Sequence, residues 1–121
     1  MKIIDDEMLQ ELRNMQSETA PQFVFDILSA FLDAGVGCVS RMGQALAHLD
    51  GSGVASEAHA LKSSCLNLGA ERLGHLLNEV EKLGKAGALP EVAARYPRVQ
   101  SEFNQLQKAV HALPEFQKKS A

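Results

Sequence analysis

The chain has 121 residues, 45% of them hydrophobic and 22% charged, which is the composition of one globular domain. Its net charge of −3 argues against a nucleic acid partner, and no apolar run approaches the ~20 residues of a membrane span. Two cysteines, Cys38 and Cys65, do not make a disulfide framework, and Asp5 comes too early for a secretion signal, so we expect a cytoplasmic protein.

The spacing of apolar residues predicts five helical segments and no strands. The first is short and runs roughly from Asp5 to Met15, and either Asp5 or Asp6 can cap its N-terminus. The second follows a capping-box sequence at residues 19–22 and continues for about eight turns. Its predicted buried positions step by threes and fours, at Phe23, Ile27, Phe31, Ala34, Cys38, Met42, Ala45 and Leu49. Glycines within this helix indicate close approach to a neighbour or a bend, at Gly35, Gly37 and Gly43.

Turn-forming residues separate the remaining segments. Residues 50–53 predict a turn before a third helix, from about Val54 to Leu68, which Gly69 closes. The predicted buried stripe of this helix is Ala58, Leu61, Cys65 and Leu68. A fourth helix runs from residue 70 to about residue 85, ended by Gly84 and Gly87. The last segment begins near residue 90, and Pro97 indicates that it is kinked or divided in two.

Short connections force neighbouring helices to run antiparallel. We therefore predict an all-α fold, an up-down antiparallel four-helix bundle of segments two to five with the short first helix as a cap on one end. Residues 1–121 are predicted to form a single domain, with residues 115–121, including Lys118 and Lys119, frayed. A start at Met1 and the absence of a linker favour a free-standing protein, and we expect a monomer.

The third helix carries a second face beside its buried stripe. Four residues recur there at i, i+3, i+4 and i+7 and are neighbours on the surface: His59, Lys62, Ser63 and Leu66. A neutral imidazole has a lone pair that can attack a phosphoryl group, while an ammonium and a hydroxyl can contact phosphate oxygens. The set therefore suits a phosphate carrier, not a self-contained catalyst. The alternative is an ordinary exposed histidine, of which His48, His75 and His111 are examples.

The sequence around His59 resembles the signature of the histidine phosphotransfer (HPt) domain of two-component phosphorelays. That signature is His-x-Leu-Lys-Gly/Ser-Ser, then a few small or apolar residues, then Leu-Gly-Ala, and residues 58–70 here are AHALKSSCLNLGA. The likeness continues into the fourth helix and is concentrated in residues 57–87. It includes Leu73, Leu76, Glu81, Leu83 and Gly84.

The resemblance implies a phosphorelay intermediate. His59 would be phosphorylated on a ring nitrogen, Lys62 would favour the phosphorylated state, and Glu81 would lie near the phosphohistidine, unless it is only a solvated charge. Ser63 stands where many members have Gly. The implied partners are receiver domains of a hybrid sensor histidine kinase and of a response regulator. The receiver would supply Mg²⁺, so the chain would need no cofactor or metal of its own and would not be an enzyme by itself.

Phosphoryl transfer requires a docking surface beside His59, because the reacting groups must be aligned. Four apolar residues lie at the border between the two faces of the second helix: Phe25, Leu28, Leu32 and Val36. We predict that they meet the receiver together with Leu66. The alternative for this border patch is packing against the first helix.

Other functions have less support in the sequence. A metal-binding bundle would need repeated ligand pairs that are missing here, and a kinase would need a Gly-rich nucleotide loop. The main alternative keeps the fold without the chemistry, as a non-phosphorylated scaffold or adaptor that binds a signalling partner.

Overall fold

The computed structural model describes the backbone of residues 1–120 and the side chains of residues 1–117. Its six helices are α1 (Asp6–Asn14), α2 (Phe23–Ala47), α3 (Gly51–Leu68), α4 (Glu71–Lys85), α5 (Leu89–His111) and α6 (Pro114–Ser120). Residues 1–120 contain no β-strand, only an isolated bridge between Ser17 and Ala20. The predicted all-α fold class is confirmed.

Helices α2 to α5 form the bundle. Each packs against the next along the chain, and α2 also packs against α5, so the four helices close a ring. The connections at residues 48–50, 69–70 and 86–88 are short and make successive helices antiparallel. The α3–α4 pair and the α2–α5 pair consequently lie on opposite sides of the bundle, which matters for the site below.

Helices α1 and α6 cover one end of this bundle. The backbone N–H of Arg72, at the start of α4, donates to the carbonyl of Lys2 at 3.0 Å, just before α1. Arg13 of α1 makes two hydrogen bonds to Glu115 of α6, at 2.8 and 3.1 Å. The predicted position of α1 is confirmed. The predicted fraying is wrong for residues 115–117, because Phe116 is buried, while the side chains of Lys118 and Lys119, and all of residue 121, lie outside the described residues.

The buried face of α2 differs from the predicted stripe in its first half. Its buried side chains are Val24, Leu28, Phe31, Leu32, Cys38 and Met42. Phe23 and Ile27 are only half-buried and Ala34 is exposed. The reason is tertiary, since α1 and α6 pack on α2 in addition to α3 and α5 and thereby bury positions outside a single stripe.

Helix α2 is also long and apolar enough to cross a membrane by length and composition. The exclusion of a membrane span from the sequence was therefore too strong for this helix. The core helix of a bundle and an N-terminal signal sequence satisfy the same criterion, so the finding is weak evidence. The packing of α2 against α3 and α5 accounts for its composition.

The boundaries around α2 and α3 correct three predictions. The predicted capping box does not cap α2: Thr19 bonds to Ser17, and the Val24 N–H in the first turn donates to Gln16 Oε1 at 3.1 Å instead. Leu49 follows the end of α2 with φ of 56° and is exposed, so it does not belong to the core stripe. The Asp50 carboxylate accepts the Gly53 N–H at 2.9 Å and caps α3, which therefore starts within the predicted turn.

Two glycines of α2 allow close approach to α5. A Cβ atom at Gly35 would lie 2.5 Å from Phe103 Cε1, and one at Gly43 would lie 2.5 Å from the Tyr96 hydroxyl. Helix α5 runs through Pro97, so the alternative of two separate helices is wrong.

Candidate functional site

Glycines bring the backbones of α3 and α4 close together. A Cβ atom at Gly84 of α4 would lie 2.8 Å from the Gly51 carbonyl oxygen and 3.1 Å from the Ala55 nitrogen. Gly84 thus lies buried inside α4, and the prediction that it ends the helix is wrong. Gly69 ends α3 with φ of 73°, as predicted. The close approach of the two helices lets side chains of α4 reach the exposed face of α3.

His59 projects from that face of α3 with 62% of its side chain exposed. Its Nδ1 lies 3.1 Å from Oε2 and 3.2 Å from Oε1 of Glu81 on α4. A carboxylate can only accept a hydrogen bond, so Nδ1 carries the proton of the neutral ring. The lone pair is then on Nε2, the nitrogen that Glu81 does not contact.

Glu81 is held by three donors beneath the ring. Lys62 Nζ lies 2.7 Å from its Oε1, Lys85 Nζ lies 2.9 Å from its Oε2, and only 6% of the Glu81 side chain is exposed. Hydrogen bonds from Lys62, Lys85 and His59 lower the pKa of Glu81 from 4.5 to about 2, against burial, which raises it. Glu81 is therefore a carboxylate at neutral pH. Its interpretation as a solvated charge is wrong.

The two lysines are held differently. Lys62 is 18% exposed and has a second partner, the Asn78 Oδ1 atom at 3.3 Å. Lys85 is 67% exposed, and Glu81 is its only partner among the described residues. Two ammonium groups and one carboxylate leave this cluster with a net charge of +1 when the ring is neutral. The site is thus prepared for an anion.

The Ser63 hydroxyl does not reach the imidazole. It donates to the His59 backbone carbonyl at 3.1 Å, within α3 itself. The ring instead borders an open groove of about 500 Å³ between α3 and α4, whose lining is Ser52, Ala55, Ser56, His59, Glu81 and Lys85. Small side chains on α3 leave this groove accessible to a large partner.

The predicted docking residues do not form one exposed surface. Leu28 and Leu32 are buried in the core and cannot meet a partner, because the buried face of α2 includes them. Phe25 is half-buried and its ring lies 4.7 Å from that of Phe116, so it packs against α6.

The two remaining docking residues are exposed on different sides of the bundle. Val36 is 52% exposed but lines a groove between α2 and α5 with Tyr96 and Phe103, away from the α3–α4 pair. The prediction that it flanks His59 is wrong. Leu66 is 59% exposed and lies two turns along α3 from His59, on the same face.

Three residues of the site were missed from the sequence: Ser56, Asn78 and Lys85. Lys85 follows Glu81 by four positions and Asn78 precedes it by three, so helical spacing around Glu81 offered a signal for both. Ser56 precedes His59 by three and could have been found in the same way.

The fold and the site together define a helical-bundle protein with an exposed histidine that contacts a buried carboxylate and is flanked by two ammonium groups. Comparisons with known proteins agree. The sequence model of the Hpt domain matches residues 26–113. The chain therefore belongs to the Hpt domain family.

Named relatives show the same likeness. The chain is 35% identical over 71 residues to histidine-containing phosphotransfer protein 2 of Arabidopsis thaliana, covering 56% of this chain and 46% of the relative. It is 32% identical over 75 residues to histidine-containing phosphotransfer protein 1 of Oryza sativa subsp. japonica, covering 60% of this chain and 50% of the relative. The match thus spans about half the length of each relative.

A solved structure shares the fold. The crystal structure of histidine-containing phosphotransfer protein B (HptB) from Pseudomonas aeruginosa PAO1 superposes with a TM-score of 0.79. The two sequences are 22% identical, and the match covers 88% of this chain and 90% of that one.

Proposed function

We propose that this chain is a phosphorelay intermediate that accepts a phosphoryl group on Nε2 of His59 from a receiver-domain aspartate and exchanges it with a response regulator. The observation that carries the proposal is the contact of Nδ1 of the exposed His59 with the buried Glu81 carboxylate. Membership in the Hpt family supports the same role.

The proposed transfer follows from the protonation of the ring. The Nε2 lone pair attacks the phosphorus of an aspartyl phosphate, a P–N bond forms, and the P–O bond to the aspartate breaks to release a carboxylate. Nδ1 keeps its proton, so positive charge develops on the imidazole. Glu81, 3.1 Å away, stabilises that charge as it forms. The same path in reverse passes the phosphoryl group to another receiver.

In this proposal the chain supplies the nucleophile and the docking surface, while the receiver supplies Mg²⁺ and the acidic pocket. Alignment of the two reacting groups then accounts for most of the rate. The chain would be a phosphocarrier without kinase activity. We propose that it acts as a monomer in the cytoplasm, between the receiver of a hybrid sensor kinase and that of a response regulator.

A phosphorylation assay with single histidine variants tests this function. The full chain is incubated with phosphorylated receiver domains of its source organism, and we expect an acid-labile, alkali-stable label. His59→Ala should lose the label and His75→Ala should keep it. His75 is a matched control because it is also exposed and also faces a carboxylate, with its Nε2 3.7 Å from Glu79 Oε1.

Two outcomes would contradict the proposal. One is a label that persists in His59→Ala. The other is a wild-type chain that binds receivers but takes up no label from any of them, which would favour the scaffold function instead.

We also propose that the receiver docks on the face of α3 that carries His59 and Leu66. Leu66 is an exposed apolar side chain on that face, and the burial of such surface against a partner is favourable. Leu66→Ala should slow transfer at low receiver concentration by several-fold. Val36→Ala is the control, because Val36 is similarly exposed on the opposite side of the bundle. Equal effects of the two substitutions would contradict this docking surface.

A further inference from the structure

The seam between α2 and α5 is covered by a helix at one end only. Phe116 of α6 lies between Phe25 of α2 and His111 of α5, with ring centroids 4.7 and 5.4 Å away. Val36 follows Phe25 by eleven residues and lies on the same face of α2. Asn104 precedes His111 by seven residues and lies on the same face of α5. The seam therefore continues past α6, and there it forms an open groove of about 630 Å³, which we call the α2–α5 groove.

The floor of the α2–α5 groove is already formed. The Tyr96 hydroxyl donates to the Val39 carbonyl of α2 at 2.7 Å, so its ring lies against that helix with its polar atom satisfied. Phe103 is buried against Gly35, where a Cβ atom would lie 2.5 Å from the ring. Val36 adds an apolar side chain that is 52% exposed. A partner would thus meet apolar surface that needs no rearrangement before binding.

None of the residues that line the groove is charged, although 22% of the chain is. Its polar lining is mostly amide, from Gln44 on α2 and from Gln100, Asn104 and Gln107 on α5. These side-chain amides make no hydrogen bond with any of the residues 1–117, and each can both donate and accept. Depletion of charge is typical of the centre of a protein interface. The lining favours an apolar or uncharged polar partner, because a charge placed there would be buried without a counter-charge.

The other helices of this chain do not suit the groove. Exposed charged side chains lie on α1, α2, α4 and α5, for example Glu11, Asp33, Lys82 and Arg98. The exposed residues of α3 are uncharged, but they include His59, which a second copy would then cover. Two copies of a concave groove do not fill each other. The arrangement therefore favours a helix from another protein over a second copy of this chain.

We propose that the α2–α5 groove binds an amphipathic helix of a partner protein, whose contacting face is apolar with uncharged polar flanks. The lining spans residues 36–47 of α2, which is about 16 Å or three turns of a helix. A helix laid in a groove is a recurrent mode of recognition, and α6 already occupies the same seam in this way. The groove lies away from His59, so the partner and a receiver can bind one chain together. The proposal does not depend on phosphorylation of His59.

The test uses a helical peptide of about 14 residues, or four turns, as the probe. Leucines at i, i+4 and i+7 form its contacting face, glutamines flank them, and Glu–Lys pairs on the far side keep it neutral. A control peptide has one of these leucines replaced by glutamate and another by lysine, so its net charge is the same. Binding is followed by NMR titration of the nitrogen-15-labelled chain. We expect the leucine peptide to shift the backbone signals of Val39 and Gly43, and the control to bind about tenfold more weakly or less.

Variants of the chain locate the binding surface. Val36→Asp should weaken binding of the leucine peptide about tenfold, because it places a charge beneath the partner. Leu66→Asp is the matched control, since Leu66 is similarly exposed on α3, and it should bind the peptide as the wild type does. Gln100→Glu adds a charge with almost no change of shape and should weaken binding several-fold. Thermal melts establish that each variant is folded, and saturating peptide should leave the rate of transfer from a receiver unchanged.

Four results would overturn the proposal. The first is the absence of shifts around the groove at the highest soluble peptide concentration. The second is equal affinity for the two peptides, and the third is an equal effect of Val36→Asp and Leu66→Asp. The fourth is a set of groove shifts that depend on protein concentration without peptide, which would assign the groove to a second copy. These titrations use the unphosphorylated chain, so their failure is distinct from a failure of the proposed function.

Discussion

Replacing Glu81 by glutamine tests how much its charge contributes to transfer. The amide keeps the shape of the side chain and can still accept the Nδ1 proton, but it offers no negative charge to the cationic ring. Hydrogen bonds to charged groups contribute about 1.5–3 kcal/mol and neutral ones about 0.5–1.5 kcal/mol. The difference of about 1–1.5 kcal/mol corresponds to a rate about fivefold to tenfold lower, because about 1.4 kcal/mol is tenfold in rate.

The assay is the initial rate of phosphohistidine formation, first from phosphoramidate and then from a phosphorylated receiver. Glu79→Gln is the matched control, since Glu79 lies on the same helix and pairs with His75 and Arg95 away from the site. Thermal melts of both variants establish that each is folded. An unchanged rate in Glu81→Gln, or an equal loss in Glu79→Gln, would refute the role assigned to this carboxylate.

Three further predictions concern stability. The pKa of Glu81 falls to about 2 on folding, so the contribution of its charge to stability is complete above about pH 4.5 and is lost as pH decreases toward 2. In urea unfolding, the wild type should lose more stability across that pH window than Glu81→Gln does. Parallel losses would contradict the pairing of Glu81 with its donors. Gly84→Ala should cost about 1–3 kcal/mol in urea unfolding, because its Cβ would lie 2.8 Å from the Gly51 carbonyl, and a neutral effect would contradict this close packing. Phe25→Ala should lower the free energy of unfolding by about 1–3 kcal/mol through lost contact with Phe116, and with it the melting temperature, while phosphotransfer is retained. Normal stability with lost transfer would restore Phe25 to the docking surface.

Periodicity predicts a helix well where one face alone is buried. The stripe of α3, which includes Leu61 and Cys65, is buried as predicted, since all other positions of this helix except Val54 and Leu66 are small or polar. In α2 the residues from Phe23 to Leu32 are almost continuously apolar, so spacing cannot show which of them face the core. The packing of α1 and α6 on α2 decides which of these residues are buried, and α6 was not predicted. Phe25 consequently looked available to a partner although Phe116 covers it.

The site likewise has a part that spacing along one helix predicts and a part that depends on the packing of two helices. His59 and Lys62 are on one helix, and their adjacency on its surface follows from their spacing of three residues. The position of Glu81 under the ring could be expected only from family resemblance, because it depends on how α4 is aligned with α3. That alignment is set by the contact of Gly84 with Gly51, which no local pattern shows. Lys85 was missed for the same reason, since its role depends on where Glu81 lies.

The most direct measurement is the identity of the phosphorylated nitrogen. Nitrogen-15 and phosphorus NMR of the histidine-labelled chain, before and after phosphorylation, report the proton and the phosphorus on each ring nitrogen. We predict a proton on Nδ1 of His59 in both states and phosphorus bonded to Nε2. Phosphorus on Nδ1, phosphorus on another histidine, or a free ring protonated on Nε2 would contradict the account in which Glu81 holds Nδ1 and leaves Nε2 to react.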